Sequence, residues 1–254
     1  MSLTDDQVAC AKLVERGDPL RFRAAMAAPV SRRGHLFALY AFNVEVSRAP
    51  WVTQETMIAE MRLQWWRDAL EEIAQGGPVR RHEVTSPLAD AIDAEQAAAL
   101  DPLVAARRWD IYRDPFEDSA HFEAYLRETS GLLTHAAAGI LGTAPARVAL
   151  DAGYAAGLAA FLRAIPQLEA AGRVPLLDGT PDGVRALAQT GLARLADARA
   201  ARAQVARSAA AAFLPTAAAE PVLKAAVADP RCVAEGRLPD PGPAVTLRVA
   251  LGRW

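Results

Sequence analysis

Residues 38–52 read ALYAFNVEVSRAPWV, a run whose apolar residues recur with the period of a helix. With the residues just before it, the spacing puts Leu36, Phe37, Tyr40, Ala41 and Val44 on one helix face. Ser31 stands where an N-cap belongs, and Pro50 would end the helix. Between the packing residues lie Asn43, Glu45, Ser47 and Arg48, polar groups on a helix that otherwise reads as core.

Helical signals continue in both directions. Thr4 with Gln7 forms a capping box ahead of a helix to about Arg16. Asp18-Pro19 pairs an N-cap with a first-turn proline and opens a helix to about Ala27. Thr53 is expected to cap a longer helix that Gly76-Gly77-Pro78 stops, with Leu63, Trp66, Leu70 and Ile73 as its apolar stripe. Adjacent side chains on a helix point about 100° apart, so Trp65 faces a neighbour other than the one Trp66 packs on. Ser86-Pro87 opens a short helix, and Asp118 begins another carrying Phe122, Tyr125 and Leu126. Segments 131–141 and 145–170 are apolar nearly all round, the mark of central helices. Residues 184–214 are rich in alanine and arginine and read as a long helix with a charged outer face. A further helix follows Pro215, while the tail 236–254 has the proline content of a loop. No alternating valine- or threonine-rich runs suggest strands. The reading is one all-α domain over residues 1–254.

Composition narrows the function classes. A net charge of −2 and a pI near 6.1 argue against a nucleic-acid partner. The two cysteines, Cys10 and Cys232, form no CxxC pattern, which argues against a disulfide framework and for a reducing compartment. The acidic start MSLTDDQVAC does not read as a signal peptide, and no uncharged apolar run reaches the ~18–20 residues of a membrane span. The expected location is cytoplasmic, or peripheral to the inner face of a membrane. The four histidines share no metal-ligand spacing.

Four segments in order resemble one family. FALYAFNVEV (37–46), MRLQWWRDALEEI (61–73), FEAYLRETSGLLTHAAAGILG (122–142) and GLAAFLRAIPQLEAAGRVPLL (157–177) are similar to the squalene/phytoene synthases, the resemblance running over about 18–214. It implies an isoprenoid synthase-type bundle of helices around a central cavity. Family enzymes join two prenyl diphosphates head to head. Two facing helices there present carboxylates at i and i+4, which hold Mg²⁺ against the leaving diphosphate.

The chain departs from that pattern where the chemistry sits. The first family motif reads approximately Y-A-F-C-R-x-x-D-D-x-x-D. Tyr40, Ala41 and Phe42 match it, but Asn43 and Val44 replace Cys-Arg, and Ser47, Arg48 and Trp51 replace the acids. The second reads approximately N-I-L-R-D-x-x-x-D-x-x-x-G-R. Leu162, Arg163, Gly172 and Arg173 match it, whereas Ala160 replaces the asparagine and Ala164 and Leu168 the aspartates. Neither Glu45 nor Glu169 lies in register to rebuild a clamp. No catalytic residue, metal ligand or cofactor is therefore assigned; Mg²⁺ belongs only to the alternative, an active prenyltransferase. Trp51 and Leu168 are expected to fill the vacated space.

The strings AFNVE, RLQWW with EEI, and LRAIP resemble a non-enzymatic branch of the family, which includes an assembly factor of mitochondrial respiratory complex I. That resemblance implies a protein partner, such as a respiratory complex subunit or assembly intermediate, or an isoprenoid or lipid ligand, with possible contact to a membrane surface. Tyr40, Asn43, Glu45, Arg62, Gln64, Arg163 and Arg173 are the candidate residual cavity or anion site, since guanidinium binds phosphate in bidentate fashion. Solvated faces and ion pairs with Glu169 or Asp151 are the plainer readings of these arginines.

Overall fold

The computed structural model describes residues 3–240 and 242–254, and among them there are helices and no strand. The chain begins α1 (Asp5–Gly17), α2 (Pro19–Ala27), α3 (Val30–Arg48) and α4 (Thr56–Ala74). It continues through α5 (Thr85–Ala91), α6 (Ala94–Ala106), α7 (Ser119–Leu126), α8 (Leu132–Leu141) and α9 (Ala146–Ala170). The last third holds α10 (Pro181–Ala200), α11 (Ala210–Phe213), α12 (Ala219–Ala228), α13 (Arg231–Ala234) and α14 (Pro243–Ala250).

Local chemistry sets most of these starts. In α1 the capping box forms, Gln7 N–H donating to Thr4 Oγ1 at 3.2 Å and Thr4 N–H to Gln7 Oε1 at 3.1 Å. Asp18 caps α2 by accepting from Arg21 N–H at 2.9 Å. Helix α3 instead begins at Val30 after Pro29, so Ser31 lies inside the first turn and caps nothing. Thr53 likewise shapes a turn, accepting from Glu55 N–H at 3.1 Å, three residues before α4 begins. Helix α6, additional to the helices expected from sequence, has its own capping box of Asp93 and Gln96.

Two expectations near the C-terminus change. The alanine- and arginine-rich run does not continue as one helix: α10 stops at Ala200, and tight turns follow until α11. A tertiary bond, Ala206 N–H to the Thr143 carbonyl at 2.9 Å, holds the break and overrides propensity. The tail expected as a loop contains α14, which buries Val245 and Val249, while Trp254 stacks on Phe213 at 4.5 Å.

The buried apolar residues form two clusters. One joins α1 to α6 with α8, the start of α9, α11 and α14; the other joins α7, the rest of α9, α10, α12 and α13. Helix α3 is almost wholly buried from Leu36 to Val44, and Leu63, Trp66, Leu70 and Ile73 of α4 are buried as their spacing foretold. Segments 146–170 and 207–228 are long and apolar enough to cross a membrane, but 61% of each qualifying window is buried inside the fold. Both cysteines are free and buried.

A π-helical turn, Arg127–Gly131, joins α7 to α8 and packs on α9. The approach is close because α9 carries Gly153 and Gly157 there. A Cβ on Gly153 would sit 2.5 Å from the Ser130 carbonyl oxygen, and one on Gly157 2.6 Å from Ser130 Cβ. Helix α9 ends in a Schellman motif on Gly172 (φ 77°): Arg173 N–H donates to the Leu168 carbonyl at 3.0 Å, Gly172 N–H to that of Glu169 at 2.8 Å. That turn aims Arg173 back into the protein.

Candidate functional site

Between the two clusters lies a cavity of about 420 Å³. From α3 and the turn after it come Asn43, Ser47 and Trp51; from α9 come Ala160, Ala164 and Leu168. Six of the positions that depart from the two family motifs thus border one space, though Val44, another departure, does not. Arg48, on the far side of α3, is not among them. The π-helical turn adds Thr129 and Ser130, and Leu126, Leu133 and Phe161 supply apolar wall.

None of the six motif positions carries a carboxylate. Asn43 is 7% exposed and its Oδ1 has no hydrogen-bond partner; Ser47 turns its hydroxyl back to the Val44 carbonyl at 3.0 Å. Leu168 is buried in the wall. Trp51 does not fill the space as expected: it is 45% exposed at the rim, with the Arg173 guanidinium 4.9 Å from its ring centre. That cation–π contact holds the indole beside the opening.

Among the described residues, the one acid lining the cavity is Asp110, which sequence reading missed. It is buried, and its carboxylate faces Arg107 (Nη1 to Oδ2 3.2 Å) and accepts from the Tyr125 hydroxyl at 3.1 Å. Arg107 also donates to the Tyr125 oxygen at 3.0 Å, closing a triangle. Burial pushes the Asp110 carboxyl up and Arg107 opposes that shift; burial and then Asp110 push the Tyr125 phenol up. The pair lies in the segment RRWD (107–110), whose polar residues gave no periodic signal.

The candidate anion site does not assemble. Arg173 is buried and spends its donors on backbone carbonyls, those of Trp109 (3.0 Å), Asp110 and Tyr112. Burial pulls its pKa down, with Asp110 opposing. Arg163 pairs with Asp240, not with Glu169 or Asp151, and borders a neighbouring cavity with Arg21 and Arg23. Glu45 and Arg62 border a groove beyond α3, and Gln64 donates to Asp68 at 2.7 Å on the exposed side of α4. Tyr40 is buried under Arg21, whose guanidinium lies 5.9 Å from the ring centre. Of the seven residues proposed for that site, Asn43 alone lines the central cavity.

Mg²⁺ prefers carboxylate and water oxygens. Serine, asparagine, alanine, leucine and tryptophan do not supply that set, and Asp110 is already held by Arg107. Among the described residues, no group of three or more His, Cys, Asp or Glu is placed to hold a metal. The donor set does not fit the family's Mg²⁺.

A family profile described as squalene/phytoene synthase matches residues 14–176. The chain is 30% identical over 166 residues to the Drosophila melanogaster protein named NADH dehydrogenase (ubiquinone) complex I, assembly factor 6 homolog, covering 62% of this chain and 50% of that one. It is 28% identical over 172 residues to the Homo sapiens complex I assembly factor 6, covering 62% and 48%. The chain spans about half the length of these curated relatives. Among solved structures, a dehydrosqualene synthase in complex with ligand superposes with a TM-score of 0.76 at 15% identity, over 97% of this chain and 94% of that one. Squalene synthase HpnC from Alicyclobacillus acidocaldarius gives 0.73 at 19% identity, over 92% and 95%. These two likenesses establish the fold.

Proposed function

The chain belongs to the squalene/phytoene synthase family, and from that premise we propose that it is a non-catalytic member that binds a protein partner and supports assembly of a respiratory complex. The observation that carries this reading is the wall chemistry of the cavity. Asn43, Ser47 and Trp51 on one side, with Ala160, Ala164 and Leu168 on the other, offer no carboxylate to a metal or a leaving diphosphate. The two arginines that line the cavity are already paired, Arg21 with Asp18 and Arg107 with Asp110, so ionisation of an allylic diphosphate there has no metal and no unpaired cation to offset the developing charge. The names of the relatives support the respiratory assignment, by complex I rather than by isoprenoid product.

The cavity supports a second, compatible reading: an isoprenoid or lipid chain could lie against Leu126, Leu133, Phe161 and Leu168 without reacting. In either reading the protein works in the cytoplasm, or against the inner face of the membrane that holds the complex.

The test has two arms. Purified protein with farnesyl or geranylgeranyl diphosphate and Mg²⁺ is expected to release no diphosphate above a protein-free blank; sustained turnover would restore the prenyltransferase. A deletion strain is expected to lose NADH:ubiquinone activity while its isoprenoid lipids stay normal, and the opposite pattern would remove the assembly role.

A further inference from the structure

The C-terminal end of α3 has two differently furnished sides. Asn43 and Ser47 face the central cavity, while Glu45, Arg48 and Ala49 turn to a separate groove of about 660 Å³. Its floor is apolar, formed by Val52, Ile58, Met61 and the two indoles of Trp65 and Trp66. Met61 is 66% exposed, and Met57, one turn earlier on α4, is 75% exposed. Met57, Met61 and Trp65 follow one another at four-residue spacing, so an apolar stripe of α4 runs along the opening. Methionine is unbranched and polarisable, the side chain that most readily adapts to a partner.

The rim is cationic. Arg48 is exposed and meets Glu45 only at 3.8 Å. Arg62 also borders the groove, and the acids nearest it in sequence are engaged elsewhere. Glu60 is held by Arg108 (3.0 Å) and Tyr112 (2.9 Å), and Asp68 bonds Gln64 (2.7 Å) and lies 3.8 Å from Arg80. His82 packs edge-on against both tryptophans and accepts the Val84 N–H on Nδ1 at 3.1 Å. Two guanidiniums thus border the floor, and among the described residues Glu45 is the only acid lining it.

We propose that this groove is a docking site for an amphipathic helix of a partner protein, its apolar face on Met61 and the tryptophans and its flanking acidic residues on Arg48 and Arg62. The groove is concave, so a flat bilayer would reach its rim and leave the indole floor uncovered. A symmetric contact with a second copy would gather the Arg48 and Arg62 of both copies into one interface, with only the two Glu45 carboxylates of the lining to offset four guanidiniums. An apolar helix with acidic flanks satisfies both the floor and the rim. This proposal rests on the reading that the protein acts by binding a partner.

The test uses the full chain and a displayed library of helical peptides, with apolar residues fixed at i, i+4 and i+7 and all flanking positions randomised. Selected binders are expected to be enriched in Asp and Glu at the flanks and to weaken as salt rises. They should bind the Met61→Asp and Arg62→Glu variants about tenfold or more weakly, and a Leu247→Asp variant as they bind the parent. Both groove substitutions are on exposed side chains, and unchanged thermal unfolding establishes that the variants are folded. Neutral or basic flanks, or binders indifferent to Met61→Asp and Arg62→Glu, would overturn the proposal. So would a Met61-dependent association with phosphatidylglycerol vesicles or a Met61-dependent dimer in place of peptide binding. The selection reads the groove alone, whereas the respiratory phenotype of the deletion strain reads the assembly role, so the two fail separately.

Discussion

Arg107, Asp110 and Tyr125 are the polar residues on which the cavity wall depends most. Asp110 and Tyr125 are buried and the Arg107 side chain is only 18% exposed, so removing one partner leaves a charge or dipole largely without water. Asp110→Ala strands the Arg107 guanidinium and is expected to cost ~3–5 kcal/mol in urea unfolding. Tyr125→Phe removes one hydroxyl but leaves the ion pair, and about 1 kcal/mol is expected. The double variant Arg107→Met/Asp110→Leu should recover most of the loss, because burying neither charge can be as favourable as burying a matched pair. If Asp110→Ala unfolds at the parent's urea midpoint, the triangle is not a structural element.

Two joints between elements invite similar tests. Gly153 lets α9 approach the π-helical turn, where an added Cβ would meet the Ser130 carbonyl oxygen at 2.5 Å and Gly131 Cα at 2.7 Å. Those are backbone atoms, so the helices must part: Gly153→Ala should cost ~1–3 kcal/mol by thermal or urea unfolding. Glu220 ties α12 to α10 through Arg199 (2.7 Å), to α14 through Arg248 (3.1 Å) and to Lys224 (2.7 Å). Hydrogen bonds from Lys224 and Arg199 hold its carboxyl down at about 2, against a usual 4.5. A depressed carboxylate stabilises the folded state fully above its unfolded pKa and loses that contribution as pH falls toward the folded value. Glu220→Gln should therefore cost ~1–2 kcal/mol at pH 7, allowing for solvent screening, and the gap to the parent should close between about pH 4.5 and 2. A constant gap across that range would mean the carboxylate charge is not what joins the helices. Legibility in the sequence divides along the same line. Helices α1 and α2 with their local caps, α4 with its apolar stripe and α9 with its nearly continuous apolar run are readable because their determinants lie within a few residues. The break after α10 and the seating of α14 depend on Thr143 and Phe213, distant in sequence, and left no local trace. Asn43, Ser47, Ala164 and Leu168 could be placed in one space through the motif register, whereas Asp110 had no register to reveal it.

For the whole molecule, the central question is what replaced the metal clamps. Facing carboxylates without a metal repel one another and are costly to desolvate, so a fold that does not use Mg²⁺ gains by neutral walls. Ser47 and Trp51 stand four residues apart, as do Ala164 and Leu168, and all four border the same cavity. Aspartates at all four positions should set one pair on α9 and one across the end of α3 around the same cavity. The quadruple variant is expected to bind Mg²⁺ measurably by titration calorimetry where the parent shows no heat. In metal-free buffer it should melt below the parent, because Leu168 is buried and its carboxylate replacement would have to be desolvated. Added Mg²⁺ should then raise its melting temperature in proportion to the logarithm of concentration and leave the parent's unchanged. A variant that loses stability yet gains no Mg²⁺ affinity would show that the two helices do not present these positions to a common point. A variant as stable as the parent without metal would show that the neutral walls are not what keeps the cavity in shape.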